Sequence, residues 1–161
     1  MGWDDVVFLG KMDIEEAIGY SFADKSLLNR ALTRKAHALE HQSQEDHEIF
    51  STLGDAVLKT VLTDLLIRAG CKTSGDLTTQ KEKLEDKESL AEISQGLGIG
   101  RFIKLGVGEE KQKINKNSSV LANILEAIIG AIYLDRGFEA AKDVITRWCQ
   151  KKRMNLLMLF L

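Results

Sequence analysis

The clearest pattern in the chain is a run of apolar residues that recurs close to every 3.6 positions between residues 49 and 67. That spacing predicts an amphipathic α-helix from about Asp46 to Arg68, ended by Gly70. Gly54 interrupts the pattern, at a cost of roughly 1 kcal/mol relative to alanine inside a helix. A glycine at this place indicates that another part of the chain passes close to the backbone. The apolar positions are Ile49, Phe50, Leu53, Val57, Leu58, Val61, Leu62, Leu65 and Leu66.

The rest of the chain shows the same helical periodicity, with few alternating runs of the kind typical of strands. Short helices are predicted after Asp13 and Asp24, and one or two amphipathic helices between Gly75 and Gly98. We expect an all-α fold, a single domain over residues 1–161 with seven or eight helices and a core at about 13–152. A strongly apolar helix over 119–134, a last helix over 138–153, a loop or frayed helix over 34–44 and a loop over 105–108 complete the prediction.

Composition limits the classes of function. Of the 161 residues, 44% are hydrophobic, 29% are charged and none is proline, which is ordinary for a soluble globular protein apart from the missing proline. The net charge of −2 argues against a globally basic nucleic-acid binder but allows a local basic face. Cys71 and Cys149 lack metal-ligand spacing and predict free thiols in a reducing, cytoplasmic compartment. The apolar tail at 154–161 is too short to span a bilayer, and the first residues lack a signal-peptide pattern, so no membrane association is expected.

Two of the predicted buried helices carry oxygen-bearing side chains on one face. In the first, Glu48 and Asp55 lie two turns apart with Ser51 between them, and in the second, Asn123 and Glu126 are three residues apart. Buried carboxylates are costly unless they are paired, hydrogen-bonded or bound to a metal, and salt-bridged core acids are the simpler alternative. If the two faces meet, they form an oxygen-lined pocket of the kind that Mg²⁺ prefers. A divalent ion there activates water and stabilises charge on a phosphate.

These motifs resemble those of a known family, ribonuclease III. Residues 48–56 (EIFSTLGDA) are similar to the family signature E-R-L-E-F-L-G-D-A/S. Residues 122–135 are similar to its second motif, A-D-x-x-E-A-L-I-G-A-x-Y-L-D. Because the matches keep their order over roughly residues 13–152, together they are more specific than any one motif. Shorter matches occur at residues 19–22, 31–34, 89–91 and 105–109.

The resemblance implies an all-helical endonuclease domain that pairs with a second copy and cleaves double-stranded RNA with Mg²⁺, or Mn²⁺ as a substitute. By position, Asp55 and Glu126 match the catalytic, metal-binding carboxylates, and Glu48 matches the first acid of the signature. Two positions depart from the pattern, since Ser51 and Asn123 stand where the family has acids. Both are expected to offer neutral oxygens to the metal, directly or through water. Metal affinity is expected to be lower, because only three of the five acids remain.

Lysines near the acidic pocket are the candidate RNA contacts, since duplex RNA is recognised mainly through phosphates and 2′-hydroxyls. A solvated surface is the alternative for each of them. By resemblance, the apolar signature residues Phe50 and Leu53 would lie in a dimer interface, and the alternative for both is the chain's own core. The lysine candidates are Lys111, Lys113 and Lys116 in a polar loop, and Lys81 and Lys83 in the charged segment before Gly98.

The sequence therefore predicts a homodimeric, metal-dependent endoribonuclease that hydrolyses double-stranded RNA without a covalent protein intermediate. A catalytically weak or inactive RNA-binding or ribonucleoprotein-assembly module on the same fold is the rival, favoured by the neutral residues at positions 51 and 123. A helical scaffold without an RNA role is a third possibility. Many family members carry a double-stranded-RNA-binding domain after the nuclease domain. This chain is expected to lack one, and a separate RNA-binding partner is a further expectation.

Overall fold

The computed structural model describes residues 12–152, and within them the protein is helical and forms no β-strand. This confirms the all-α fold class that the periodicity predicted. Two 3₁₀ turns, Ile99–Phe102 and Ile114–Lys116, lie between the later helices. The α-helices of this part of the chain are α1 (Ile14–Ile18), α2 (Lys25–Ala31), α3 (Lys35–Glu40), α4 (Glu48–Arg68), α5 (Ser74–Glu85), α6 (Lys87–Gly96), α7 (Val107–Lys111) and α8 (Ser118–Lys151).

Polar side chains placed just before two helices explain where those helices begin. Asp86 separates α5 from α6, and its carboxylate accepts a hydrogen bond from the backbone N–H of Ser89 at 2.7 Å. Asn117 precedes α8, and its side chain accepts from the N–H of Ser119 at 2.9 Å. Each bond satisfies a backbone donor that has no partner inside its helix. The segment between residues 75 and 98 therefore forms two helices, one of the two arrangements that the sequence allowed.

The core of the bundle is built by α4 and α8. In α8, Ala127, Ile128 and Ile132 are 0% exposed, and in α4, Val61 and Leu66 are 0% exposed as well. Helices α2 and α6 pack on α8, while α5 packs on α4. The two helices that carry the candidate acids are therefore also the two that hold the fold together.

The two core helices cross with their backbones in direct contact, and two glycines make that possible. A Cβ atom on Gly54 would lie 1.6 Å from the backbone oxygen of Glu126, and one on Gly130 would lie 2.3 Å from the backbone oxygen of Phe50. Neither distance is compatible with a side chain unless the helices move apart. The close approach that Gly54 suggested from sequence is therefore made by α8.

Helix α8 changes direction at Gly137, where φ is +83° and ψ is −173°. The sequence predicted two helices here, and they meet at this residue without an intervening loop. The stretch after Gly137 turns back towards the start of the described chain. There the indole N–H of Trp148 donates to the backbone oxygen of Ile18 at 2.8 Å, and Arg147 donates to the backbone oxygen of Gly19 at 2.8 Å.

Short helices form in the segment that was predicted as a loop or a frayed helix and in one predicted loop. Residues 35–40 form α3, and α7 begins at Val107 inside the glycine-flanked segment that was predicted to be irregular. Arg34 binds Glu109 at 2.9 Å and thereby ties the residue before α3 to α7. Such helices are too short to be stable alone, so tertiary contacts rather than local propensity determine them. The predicted apolar tail at 154–161 lies outside the described residues.

One helix of the described residues, α8, is long and apolar enough to cross a membrane by length and composition alone. Its most apolar stretch is largely buried among the other helices, as the core helix of a globular bundle would be. Its apolar character is thus accounted for by packing within the chain.

Candidate active site

The crossing of α4 and α8 places Asp55 beside Glu126. Asp55 follows Gly54 directly, and Gly54 lies against the backbone of Glu126. The two carboxyl groups are close enough that the charge of Asp55 raises the pKa of Glu126. The predicted convergence of the two acidic helix faces is therefore present for this pair, although the roles of both residues stay predictions.

Glu126 is held in an unusual electrostatic environment. Its pKa is raised to about 7, first by burial and then by the negative charge of Asp55, with a smaller effect from Glu85. The ammonium group of Lys59 acts in the opposite direction. A carboxyl group that titrates near neutrality, next to a second carboxylate, is frequent at functional sites because such sites gain from a poised charge.

Lys59 is a member of this group that the sequence analysis did not include. Its Nζ atom lies 3.0 Å from Asp55, one helical turn away on α4. That hydrogen bond raises the pKa of Lys59. Both side chains are more than 40% exposed, so the pair contributes little to stability. The i, i+4 spacing of Asp55 and Lys59 would have been a sufficient signal to find it.

Ser51 and Asn123 lie next to each other at the same crossing. The hydroxyl of Ser51 donates a hydrogen bond to the backbone oxygen of Asn123 at 2.8 Å. Ser51 therefore connects α4 to α8 directly, and its oxygen still has lone pairs to offer. Asn123 is exposed on the surface of α8. Their predicted roles as neutral metal ligands stay predictions.

Glu48 lies at the start of α4 and is paired differently. Its carboxylate is 57% exposed and lies 3.7 Å from Lys35, the first residue of α3. The charged groups that shift the pKa of Glu126 are Asp55, Lys59 and Glu85, and Glu48 is not one of them. A supporting role for Glu48 in catalysis stays a prediction.

Glu85, at the end of α5, is a second residue that the sequence analysis missed. Its Oε2 atom is buried and has no hydrogen-bond partner, while its charge raises the pKa of both Glu126 and Lys59. In the sequence it is one of several acids among lysines, and nothing in its spacing relates it to α4 or α8. Only the packing of α5 on α4 reveals its position.

These residues fit a hard divalent cation. All the donors are oxygens, and a buried carboxylate oxygen is left without a partner. Among residues 12–152, no group of three or more His, Cys, Asp or Glu side chains has the arrangement of a complete ligand cluster. A cation here would therefore be held by one or two carboxylates and would keep several water molecules, which is the usual coordination of Mg²⁺ in proteins.

The predicted RNA-contacting lysines lie on two surfaces. Lys111, Lys113 and Lys116 are exposed in the segment that leads into α8. Lys83 is exposed and Lys81 is half-buried, both on α5 within four residues of Glu85. The α5 pair thus lies on the helix that also carries Glu85. RNA contact by any of the five stays a prediction.

The two predicted dimer residues differ in exposure. Phe50 is 7% exposed and belongs to the chain's own core. Leu53 is half-buried and packs against that core. Ile49, between Glu48 and Phe50, is 63% exposed and is the apolar side chain at the start of α4 that a partner would reach. A dimer role for Phe50 and Leu53 stays a prediction.

A cavity of about 580 Å³ lies elsewhere, at the junction of α1, α6 and the end of α8. Trp148 and Ile93 form part of its wall, and Glu92 and Lys152 lie at its edge. Neither Asp55 nor Glu126 lines it. Asp55 and Glu126 are instead both half-buried at the α4–α8 crossing.

Comparison with known proteins agrees with the motifs. The sequence model of the family described as Ribonuclease-III-like matches residues 24–152. A protein named Ribonuclease 3 from Carboxydothermus hydrogenoformans is 40% identical over 139 residues, which cover 84% of this chain and 59% of that protein. A Ribonuclease 3 from Thermobifida fusca is 39% identical over 136 residues, covering 84% of this chain and 56% of that protein. The chain thus spans little more than half the length of these relatives.

The fold is shared with a solved structure as well. The nuclease domain of ribonuclease III from Campylobacter jejuni superposes with a TM-score of 0.80 at 37% identity, covering 86% of this chain and 94% of that one. These matches define the class of protein, an all-helical domain of the Ribonuclease-III-like type. The chain belongs to the ribonuclease III family.

Proposed function

We propose that this chain is a metal-dependent endoribonuclease that hydrolyses double-stranded RNA as a homodimer. The observation that carries the proposal is the pairing of Asp55 with Glu126 at the α4–α8 crossing, where the pKa of Glu126 is raised to about 7. The relatives named Ribonuclease 3 support the same activity.

Asp55 and Glu126 would hold Mg²⁺, or Mn²⁺ in its place, with Ser51 and Asn123 offering neutral oxygens. Such a cation lowers the pKa of water and stabilises charge that develops on a phosphate. Glu126 must be ionised to take part, and burial keeps part of the population protonated near pH 7. Lys59 competes with the metal for Asp55, because its ammonium group is hydrogen-bonded to the Asp55 carboxylate at 3.0 Å. On metal binding, Asp55 must either bind both groups or lose its hydrogen bond to Lys59. A released ammonium group would be free to contact a phosphate.

Cleavage of a long duplex RNA by the purified chain tests the proposal directly. We expect cleavage with Mg²⁺ or Mn²⁺, loss of cleavage with a chelator, and loss in the Asp55→Asn variant. Asp143→Asn is a matched control, because Asp143 is exposed on the later part of α8, and it should cleave like the wild type. Retention of duplex RNA without cleavage at any metal concentration would instead identify a non-catalytic RNA-binding module.

Metal affinity should depend on pH through Glu126. Because its pKa is about 7, a proton must leave as the metal binds, and the apparent affinity for Mn²⁺ should fall by up to about tenfold for each pH unit below 7. Calorimetric titration in two buffers of different ionisation enthalpy measures the released protons. We expect a fraction of a proton at pH 7 and close to none at pH 9. Release that does not change over this range would contradict the assignment.

The neutral residues at positions 51 and 123 are expected to lower metal affinity, and restoring acids there tests that expectation. Asn123 is exposed, so Asn123→Asp adds a charge beside Glu126 without a packing cost, and the Kd for Mn²⁺ at pH 8 should fall about tenfold. Ser51→Glu should add to this effect, although it removes the hydrogen bond to the Asn123 backbone. Gln150→Glu places the same charge on an exposed site far along α8 and should leave the Kd unchanged. Equal affinities in wild type and Asn123→Asp would contradict this explanation.

Dimerisation and location complete the proposal. The related nuclease domain from Campylobacter jejuni has a region involved in dimer formation, and we infer the same kind of assembly for this chain. Sedimentation over a concentration series measures this association.

The unpaired thiols of Cys71 and Cys149 support a reducing compartment such as the cytoplasm. A separate RNA-binding partner is also part of the proposal, to be tested by the affinity of the chain alone for duplex RNA.

A further inference from the structure

Among the described residues, Glu85 is the acid near the α4–α8 crossing that has a buried oxygen without a partner. Its side chain is half-buried at the end of α5, and its Oε2 atom accepts no hydrogen bond from the protein. A buried polar atom left in this state costs free energy comparable to a lost hydrogen bond. Because the protein gives this oxygen no donor, a small rotation of the half-buried side chain towards water would relieve that cost.

The net charge around Glu85 is negative and would favour a bound cation. The charges of Asp55 and Glu85 both raise the pKa of Glu126, so these three carboxylates act on one another although they do not form a ligand cluster. The ammonium group that acts against them in the same environment belongs to Lys59, which is hydrogen-bonded to Asp55. When all four groups are ionised, two negative charges remain, which is the charge that one divalent cation neutralises.

The structure does not identify Glu85 as a direct ligand of the metal. In the described part of the chain no three acidic or histidine side chains converge as ligands do. A carboxylate in the second layer of a metal site fixes the water molecules and ligands of the first layer by hydrogen bonding. A nearby carboxylate with one buried oxygen that lacks a partner matches that second position.

We propose that Glu85 is a positioning residue of the metal site, whose carboxylate accepts a hydrogen bond from a water molecule in the hydration shell of the cation. This inference rests on the proposed metal-dependent function. Glu85 supplies negative charge near a site where Ser51 and Asn123 stand in place of acids. It lies outside the five acidic positions of the two family motifs, on a helix that carries neither of them.

Metal binding measured without RNA tests this role. In Glu85→Gln the shape of the side chain is kept and its charge is lost, so the Kd for Mn²⁺ at pH 8 should rise about tenfold or more by calorimetry. The chelated variant should melt at a higher temperature than the chelated wild type, because a repulsion is removed. Its gain in melting temperature on adding Mn²⁺ should be smaller. Glu85→Ala should show the same loss of affinity, and far-UV circular dichroism checks that both variants fold.

The matched control is Glu82→Gln, an exposed glutamate on the same helix. It removes the same charge and should leave the Kd and both melting temperatures at wild-type values. If Glu85→Gln binds Mn²⁺ as the wild type does, while Asp55→Asn does not bind it, this inference is overturned and the proposed function stands. If the wild type itself binds no divalent metal and cleaves no RNA, the proposed function fails, and the role of Glu85 fails with it.

Discussion

Gly54→Ala is expected to destabilise the folded protein by at least about 3 kcal/mol, a large share of the roughly 5–15 kcal/mol that a domain possesses. The added Cβ would lie 1.6 Å from the backbone oxygen of Glu126, and a backbone atom cannot turn aside as a flexible side chain does. The variant folds only if α4 and α8 separate. Separation would also move Asp55 away from Glu126, so metal affinity should fall together with stability. Urea denaturation followed by circular dichroism measures the first effect and calorimetry the second.

Gly75→Ala is the matched control for this substitution. Gly75 lies in the first turn of α5, and a Cβ there would meet no atom within 4 Å. Alanine at that place should be neutral or stabilising by up to about 1 kcal/mol, because it favours the helix. If Gly54→Ala were as stable as Gly75→Ala, the contact between the two core backbones would not exist as described.

Glu126→Gln is expected to abolish cleavage and at the same time to stabilise the metal-free protein. Loss of a carboxylate from the proposed metal site should lower the cleavage rate by about a thousandfold or more. The gain in stability arises because folding raises the pKa of Glu126 from 4.5 to about 7. Because the pKa is higher in the folded state, this group costs no stability below about pH 4.5, and the free energy of unfolding falls as the pH rises from there to about 7. At pH 8, removing the charge should therefore stabilise the chelated protein by about 3 kcal/mol.

The gain should shrink as the pH is lowered from 8 to 5, where Glu126 is already protonated in the folded state. Glu139→Gln is the control, because Glu139 is exposed on α8, and it should change neither cleavage nor the pH dependence of stability. Thermal unfolding at several pH values, in the presence of a chelator, measures the difference. If the variant cleaves RNA at a rate within about tenfold of the wild type, Glu126 does not take part in the reaction. If the variant is less stable than the wild type at pH 8, the cause assigned to the raised pKa of Glu126 is wrong.

Helix boundaries were predictable in part. The apolar repeat of α4 identified a helix that ends at Arg68 as expected, whereas the cap at Asp86 was not recognised, so the sequence left open whether residues 75–98 form one helix or two. The short helix α7 was not predicted, and α3 was expected only as a loop or a frayed helix, because the contact between Arg34 and Glu109 joins residues far apart in sequence. Gly54 indicated a close approach, but the sequence alone did not identify Gly130 as the other side of it.

The candidate site was predictable only in part. Asp55 and Glu126 attract attention because they interrupt apolar helices, and the two motifs relate them to each other. Lys59 needed only the recognition that one helical turn separates it from Asp55. Glu85 had no such signal, since its relevance depends on how α5 packs against α4. The exposed position of Glu48 beside Lys35 likewise follows from the placement of α3, which the sequence left as a loop or a frayed helix.

Gly137 has a consequence for the size of the molecule. A straight helix of 34 residues would be about 51 Å long at 1.5 Å per residue. A globular chain of this length has a diameter of only about 40 Å, so an unbroken rod would project into solvent at one end. The positive φ at residue 137 folds the rod back on itself. The part of α8 before Gly137 can then lie in the centre of the bundle while the part after it packs on the outside. A residue with a side chain at position 137 would strain the backbone conformation that allows both.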